Sequence, residues 1–183
     1  MCREDIGGGW TMHREITTGT YWFYRKNFDK GSMNMDITLT CDVDGDVLQA
    51  AALRTIRRLP CLAFTCEKSE DGTQYYLIPN MKPFSVVPAS GFVSLDGPGA
   101  GGYLWSLGYG ENHLYLRVFH GLTDGMGLFT VMKHILIFYF SLLNGDPVPP
   151  ELALSLLLSE KNREFVRILT EEISSLGIKY RLE

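Results

Sequence analysis

A run of eighteen mostly apolar residues, Met126–Leu143, constrains this chain more than any other feature. Such a segment has to leave water, either for lipid or for a protein core. Eighteen residues is the lower edge of spanning length, and Lys133 and His134 interrupt the run near its middle. A mid-segment lysine is costly in hydrocarbon, so a buried core helix is expected here and no membrane span. The chain is 183 residues long and 45% apolar, which is enough for one domain with a real core.

What surrounds that helix reads as strands. Met35, Ile37, Leu39, Cys41 and Val43 alternate with Asp36, Thr38, Thr40 and Asp42, a period of two that predicts a strand wet on one face. Tyr21–Tyr24 is a further short aromatic strand candidate. The turn Asp44-Gly45-Asp46 offers a helix cap, and Val47, Leu48, Ala51, Ala52, Ile56 and Leu59 make the apolar face of a helix that stops at Pro60. Arg54, Arg57 and Arg58 gather at its C-terminal end, where solvated cations complement the helix dipole. Strands near Leu62–Glu67 and Gln74–Ile78 form one hairpin, and Tyr103–Tyr109 with His113–His120 form another.

Between the hairpins, Pro79–Gly102 is mostly loop. Its glycine-rich end, Asp96–Gly102, lacks the Lys-Ser/Thr of a phosphate-cradling loop and runs into strand-like residues. The pattern is α+β: a mostly antiparallel or mixed sheet with one amphipathic and one buried helix. Residues 1–148 form the compact domain. After Pro149-Pro150, residues 149–183 are expected as a helical tail, with Phe165, Leu169, Ile173 and Leu176 at helical spacing.

Charge and cysteines narrow the functions. A net charge of -4 argues against nucleic acid as the partner. Met1–Trp10 has no apolar core of a secretory signal, and Cys2, Cys41, Cys61 and Cys66 form no C-x-x-C pair. Free thiols in a reducing cytoplasm are therefore expected.

The segment that carries chemistry is Leu114–Gly127. Strand parity puts Leu114, Leu116, Val118 and His120 on the more apolar face, and His113, Tyr115, Arg117 and Phe119 on the other. A histidine at the end of an apolar row is expected to be partly dehydrated, which favours the neutral imidazole that accepts a proton. Asp124 follows at the expected helix start, and Gly121, Gly125 and Gly127 permit a tight loop. His113 has the wrong parity to join His120 and Asp124 around a metal, so none is expected. No cysteine has a histidine partner that would make it a nucleophile.

His120-Gly121-Leu122-Thr123-Asp124-Gly125 is an H-x-x-x-D-G motif at a strand end before a hydrophobic helix. In this setting it resembles the chloramphenicol-acetyltransferase-like superfamily, which includes the condensation domains of peptide synthetases. Phe119–Gly127 looks most like the alcohol-acetyltransferase-like branch, and the order of elements from Thr20 to Leu143 is similar to the first half of such enzymes. The resemblance implies a two-layer sandwich half-domain. It also implies acyl transfer from acyl-CoA or an acyl-carrier thioester, as substrate and not as a tightly bound cofactor, to an alcohol or amine. His120 would be the catalytic general base, Asp124 the structural aspartate that orients the loop, and Gly125 the glycine beside the substrate channel.

Two departures are visible. Phe119 stands where many relatives carry a first histidine, and relatives join two similar halves around the channel. A homo-oligomer or a separate second half-domain is therefore the implied partner, and a non-catalytic or split half is the alternative function. The arginine that meets the aspartate in relatives comes from the other half. Asp124 is thus expected to bond backbone N–H groups of its own helix, with Arg117 on the wrong face.

Overall fold

Pairing between period-two segments organises the computed structural model, which describes residues 14–15, 28–68, 70–71, 75–145 and 179–182. Along the chain run β1 (Arg14–Glu15), β2 (Ser32–Thr38), α1 (Gly45–Arg58), β3 (Phe64–Lys68), β4 (Tyr75–Pro79) and β5 (Val87–Pro88). Then come β6 (Trp105–Gly110), β7 (His113–Phe119), α2 (Gly125–Asn144) and β8 (Lys179–Leu182), with 3-10 turns at Pro60–Ala63 and Pro98–Ala100. A five-stranded sheet has the order β5-β6-β7-β2-β8, with β5 parallel to β6 and every other pair antiparallel. A smaller sheet, β1-β4-β3, holds the first hairpin.

The core lies between one face of the large sheet and the two helices, which pack on each other. Met35 and Ile37 of β2, Leu107 of β6 and Leu114, Leu116 and Val118 of β7 supply the sheet side. Leu48, Ala51 and Ala52 of α1 meet Leu128, Val131, Met132, Ile135, Leu136 and Tyr139 of α2. This is the expected α+β two-layer sandwich of mixed sheet and two helices. By length and composition α2 is apolar enough to cross a membrane. It lies instead against α1 and the sheet, with Lys133 and His134 only 4% and 5% exposed. The Tyr139 hydroxyl accepts a hydrogen bond from Asp44 N (2.9 Å), which joins α2 to the start of α1.

Several boundaries differ from the sequence expectation. β2 covers Ser32–Thr38 rather than Met35–Val43. Past Thr38 the chain wraps the β6–β7 turn, with Leu39 N bonded to Asn112 O and Val43 N to Glu111 O, so the alternation outlasts the ladder. α1 starts at Gly45, because Asp44 caps it by accepting from Asp46 N and Val47 N at 3.0 Å. Thr55, a polar residue, is fully buried on α1, its hydroxyl donating to Ala51 O. Leu62 belongs to a 3-10 turn rather than a strand, and its carbonyl accepts from Trp105 Nε1 at 2.9 Å. Tyr21–Tyr24 and the helical stretch expected after Pro150 lie outside the described residues. Within 149–183, Lys179–Leu182 are strand and not helix: they pair with β2 from Met35↔Leu182 to Thr38↔Lys179.

The other face of the sheet is covered over β6 by the loop that follows β5. A Cβ on Gly108 would stand 3.0 Å from the Val93 side chain, and one on Gly110 would stand 2.9 Å from the Ala89 carbonyl. The backbone crosses there only because β6 has no side chains at those positions.

His134 is a buried ionisable group inside this core. Its Nδ1–H donates to the Thr130 carbonyl at 2.8 Å, since a carbonyl can only accept. Burial holds the imidazole below its ordinary value; the Thr130 acceptor opposes this in part, and the charges of Arg58 and Lys133 add to the lowering. The unfolded chain then binds the proton more readily than the folded one. Stability from this site is complete above about pH 6.5, and is lost as pH falls through that value toward the lower folded one. Urea midpoints should fall from about pH 7.5 to about pH 5, and His134→Gln should flatten that slope. Equal slopes for the two proteins would show that His134 does not set it.

Candidate functional site

The β7 ladder stops at Phe119, and the next residues leave the sheet in a short turn into α2. Phe119 N donates to Leu104 O (2.9 Å), His120 N to Gly31 O (2.8 Å) and Leu122 N to Phe119 O (2.9 Å). Because the chain has already turned, parity no longer governs His120. Its side chain is exposed rather than partly dehydrated. Phe119 is wholly buried on the side of the sheet opposite Val118, in a second cluster with Leu95, Ala100 and Leu104. Its ring meets Phe28 edge to face at 5.0 Å, a contact worth about 0.5–1.5 kcal/mol beyond the area it buries. In this chain the position before His120 is a core position, which accounts for a phenylalanine there.

Asp124 is the N-cap of α2. Its Oδ1 accepts from Gly127 N at 2.9 Å, and its carbonyl accepts from Leu128 N. Arg117 pairs elsewhere, with Asp29, at 2.7 Å. His120, Asp124 and Gly125 share one exposed corner of the fold. The two helical glycines differ. A Cβ at Gly125 would meet nothing within 4 Å, whereas one at Gly127 would collide with Thr123 Oγ1. Gly127 is thus the position needed for close approach. Among the described glycines only Gly101, Gly102 and Gly145 have positive φ, so no glycine of the motif makes a left-handed turn.

Sequence reasoning overlooked the group behind this corner. Asp29 accepts from Leu95 N (2.7 Å), from the Ser94 hydroxyl (2.6 Å) and from Arg117, while Asp96 accepts from Phe28 N and Asp29 N at 3.2 Å. Burial raises the Asp29 pKa, but the Ser94 and Leu95 hydrogen bonds and the Arg117 guanidinium outweigh it and hold the carboxyl below its usual value. No periodicity marks an aspartate whose partners lie more than sixty residues away; the Asp-Lys-Gly turn after Phe28 was its only local signal.

Of the other residues weighed for chemistry, Cys2 lies outside the described residues. His113 donates from Nδ1 to Asp36 (3.1 Å) and stacks on Tyr115, on the sheet face away from the helices. No cluster of metal-ligating side chains occurs among the described residues. Cys41, Cys61 and Cys66 are free thiols, and burial pushes Cys66 up to about 12, too high for a nucleophile at neutral pH.

The cap and the glycine spacing make separate predictions. Asp124→Ala should lose about 1 kcal/mol of unfolding free energy and Asp124→Asn little, because asparagine caps as well as aspartate. Gly127→Ala should destabilise through Thr123, whereas Gly125→Ala should be tolerated. Denaturant titration of the four variants checks this, and equal stability of Asp124→Ala and the natural sequence would remove the cap from the account.

No protein-family model matches the chain, and no curated protein matches it in sequence. Solved structures do match. The starter condensation domain of rhizomide synthetase aligns at TM-score 0.56 and 14% identity, covering 73% of this chain and 38% of its own. Polyketide synthase associated protein 5 from Mycobacterium tuberculosis aligns at TM-score 0.55 and 22% identity, with 74% and 35% covered. The first condensation domain of the calcium-dependent antibiotic synthetase, in complex with a substrate analogue, aligns at 0.56 and 17%, with 75% and 39% covered. A mutant of the rhizomide domain was solved in complex with C8-CoA. This chain spans little more than a third of the length of these structures. Sheet order, helix placement and these alignments together show that it has the fold of about half a condensation domain.

Proposed function

We propose that this chain is an acyltransferase-like half-domain in which His120 is the general base. The observation that carries the reading is an exposed imidazole, its backbone fixed at the end of β7, four residues ahead of the aspartate that caps α2. In the proposed reaction an imidazole nitrogen takes the proton of an alcohol or amine as its oxygen or nitrogen bonds to the thioester carbonyl. The tetrahedral adduct then expels the thiolate, which leaves with a proton as free thiol. A base in hydrogen-bond reach contributes about 10²–10⁴-fold. Asp124 orients the loop by fixing the first turn of α2, and Gly125 leaves open space next to it. The donor is acyl-CoA or an acyl-carrier thioester, bound as substrate; the C8-CoA complex of a structural neighbour supports the first. Free thiols at Cys41, Cys61 and Cys66 agree with a cytoplasmic setting.

The openness of the corner favours a second reading. His120, Asp124 and Gly125 face solvent, and in this reading they form one wall of a channel that the chain does not close by itself. A half-domain that acts only when paired, with another copy or with a separate second half, supplies the other wall.

The two readings separate in one series of measurements. Acetyl transfer from acetyl-CoA to small alcohols should fall by about 10²-fold or more in His120→Ala. Unchanged turnover in that variant would end the general-base assignment. If pairing completes the site, light scattering should show dimers at micromolar concentration, and specific activity should rise with protein concentration. An active monomer would exclude the paired form.

A further inference from the structure

We propose that Asp29 is a positioning residue for His120, acting through Arg117 and the Gly31 carbonyl; this rests on the general-base reading of His120. The inference starts from a bond outside the β7 ladder. His120 N donates to Gly31 O at 2.8 Å, so His120 sits where residue 31 holds it. Gly31 closes a turn in which Gly31 N donates to Phe28 O and Ser32 N to Asp29 O.

That turn is fastened by two carboxylates facing in opposite directions. Asp29 reaches out to Leu95 N and the Ser94 hydroxyl, and Asp96 reaches back to Phe28 N and Asp29 N. The third partner of Asp29 is the Arg117 guanidinium at 2.7 Å, whose Nε also donates to Asn34 at 3.0 Å. Arg117 lies on β7, three residues before His120. The chain of contacts is therefore a closed ring: β7 through Arg117 to Asp29, along the turn to Gly31, and back at His120 to the residue that follows β7. The Arg117 and Asp29 side chains are 15% and 29% exposed, so this charge-assisted pair is better shielded than a surface ion pair.

A general base works only at the right distance, and a misplacement of about 1 Å costs up to about 10²-fold. Breaking the ring frees the turn and lets His120 shift, although Asp29 is assigned no contact with substrate. A purely structural role for Asp29 would lower the melting temperature and leave the His120 environment alone.

The test uses Asp29→Asn and Arg117→Lys, each of which removes one side of the ion pair's geometry, in the full chain. Imidazole NMR signals of His120 should shift or broaden in both variants, while those of His134, buried in α2, stay in place. Where turnover is measured, kcat should fall between about tenfold and about a hundredfold with KM nearly unchanged. The double variant should be no slower than the worse single one, because both act through one ring. His120 signals and kcat unaltered in both variants would overturn the proposal, even if melting temperatures drop. The general-base reading fails on a different result, full activity in His120→Ala, and the NMR comparison still decides the role of Asp29.

Discussion

The antiparallel pairing of β2 with β7 is the constraint on which the rest of the structure depends. Its register runs through seven residue pairs from Ser32↔Phe119 to Thr38↔His113. It sends Met35, Ile37, Leu114, Leu116 and Val118 to the helices, and Asn34, Asp36, Thr38, His113, Tyr115 and Arg117 to the opposite face. A slip of one residue would exchange the two sets and bury the charges. The same register brings Ser32 beside Phe119, and with it the turn that precedes β2 beside the end of β7. Placement of His120 is thus a consequence of strand pairing.

The two faces of the sheet are closed by different means. On the helix side, α1 and α2 supply aliphatic side chains, and Trp105 reaches Leu62 O through its ring nitrogen while stacking on Phe84 at 4.1 Å. On the other side, among the described residues, an irregular loop rather than a helix lies on β6 at Ser106, Gly108 and Gly110, with Ser106 donating to Val93 O. Such a loop brings backbone polar groups to a buried place, where they need partners. Among the described residues, no buried side-chain nitrogen or oxygen lacks a hydrogen bond. The Asp29 and Asp96 carboxylates meet part of this need, and so the loop covering the sheet and the turn holding His120 are stabilised together.

Much of this was legible in the sequence. Both helices, the two hairpins and the capping aspartates Asp44 and Asp124 follow from periodicity and side-chain chemistry that act within a few residues. The errors arose where tertiary contacts ended a pattern early. The alternation of Met35–Val43 continues past the ladder because Leu39 remains buried, although its backbone bonds to the β6–β7 turn. Parity placed His120 on the apolar row, yet the strand ends one residue before it. Gly125 and Gly127 look alike in sequence, and only the position of Thr123 separates them.

By itself, then, the sequence determined the class of fold, the burial of Met126–Leu143 and the motif at the strand end, because each depends on local spacing or on hydrophobicity summed over a segment. The tertiary structure alone decided that Phe119 faces a second core, that His120 is open to solvent and that Asp29 meets Arg117. Those depend on which distant segments come together: residues 28–31, 94–96 and 117–120 share no periodicity and become neighbours only when β2 pairs with β7 and the covering loop closes over the sheet.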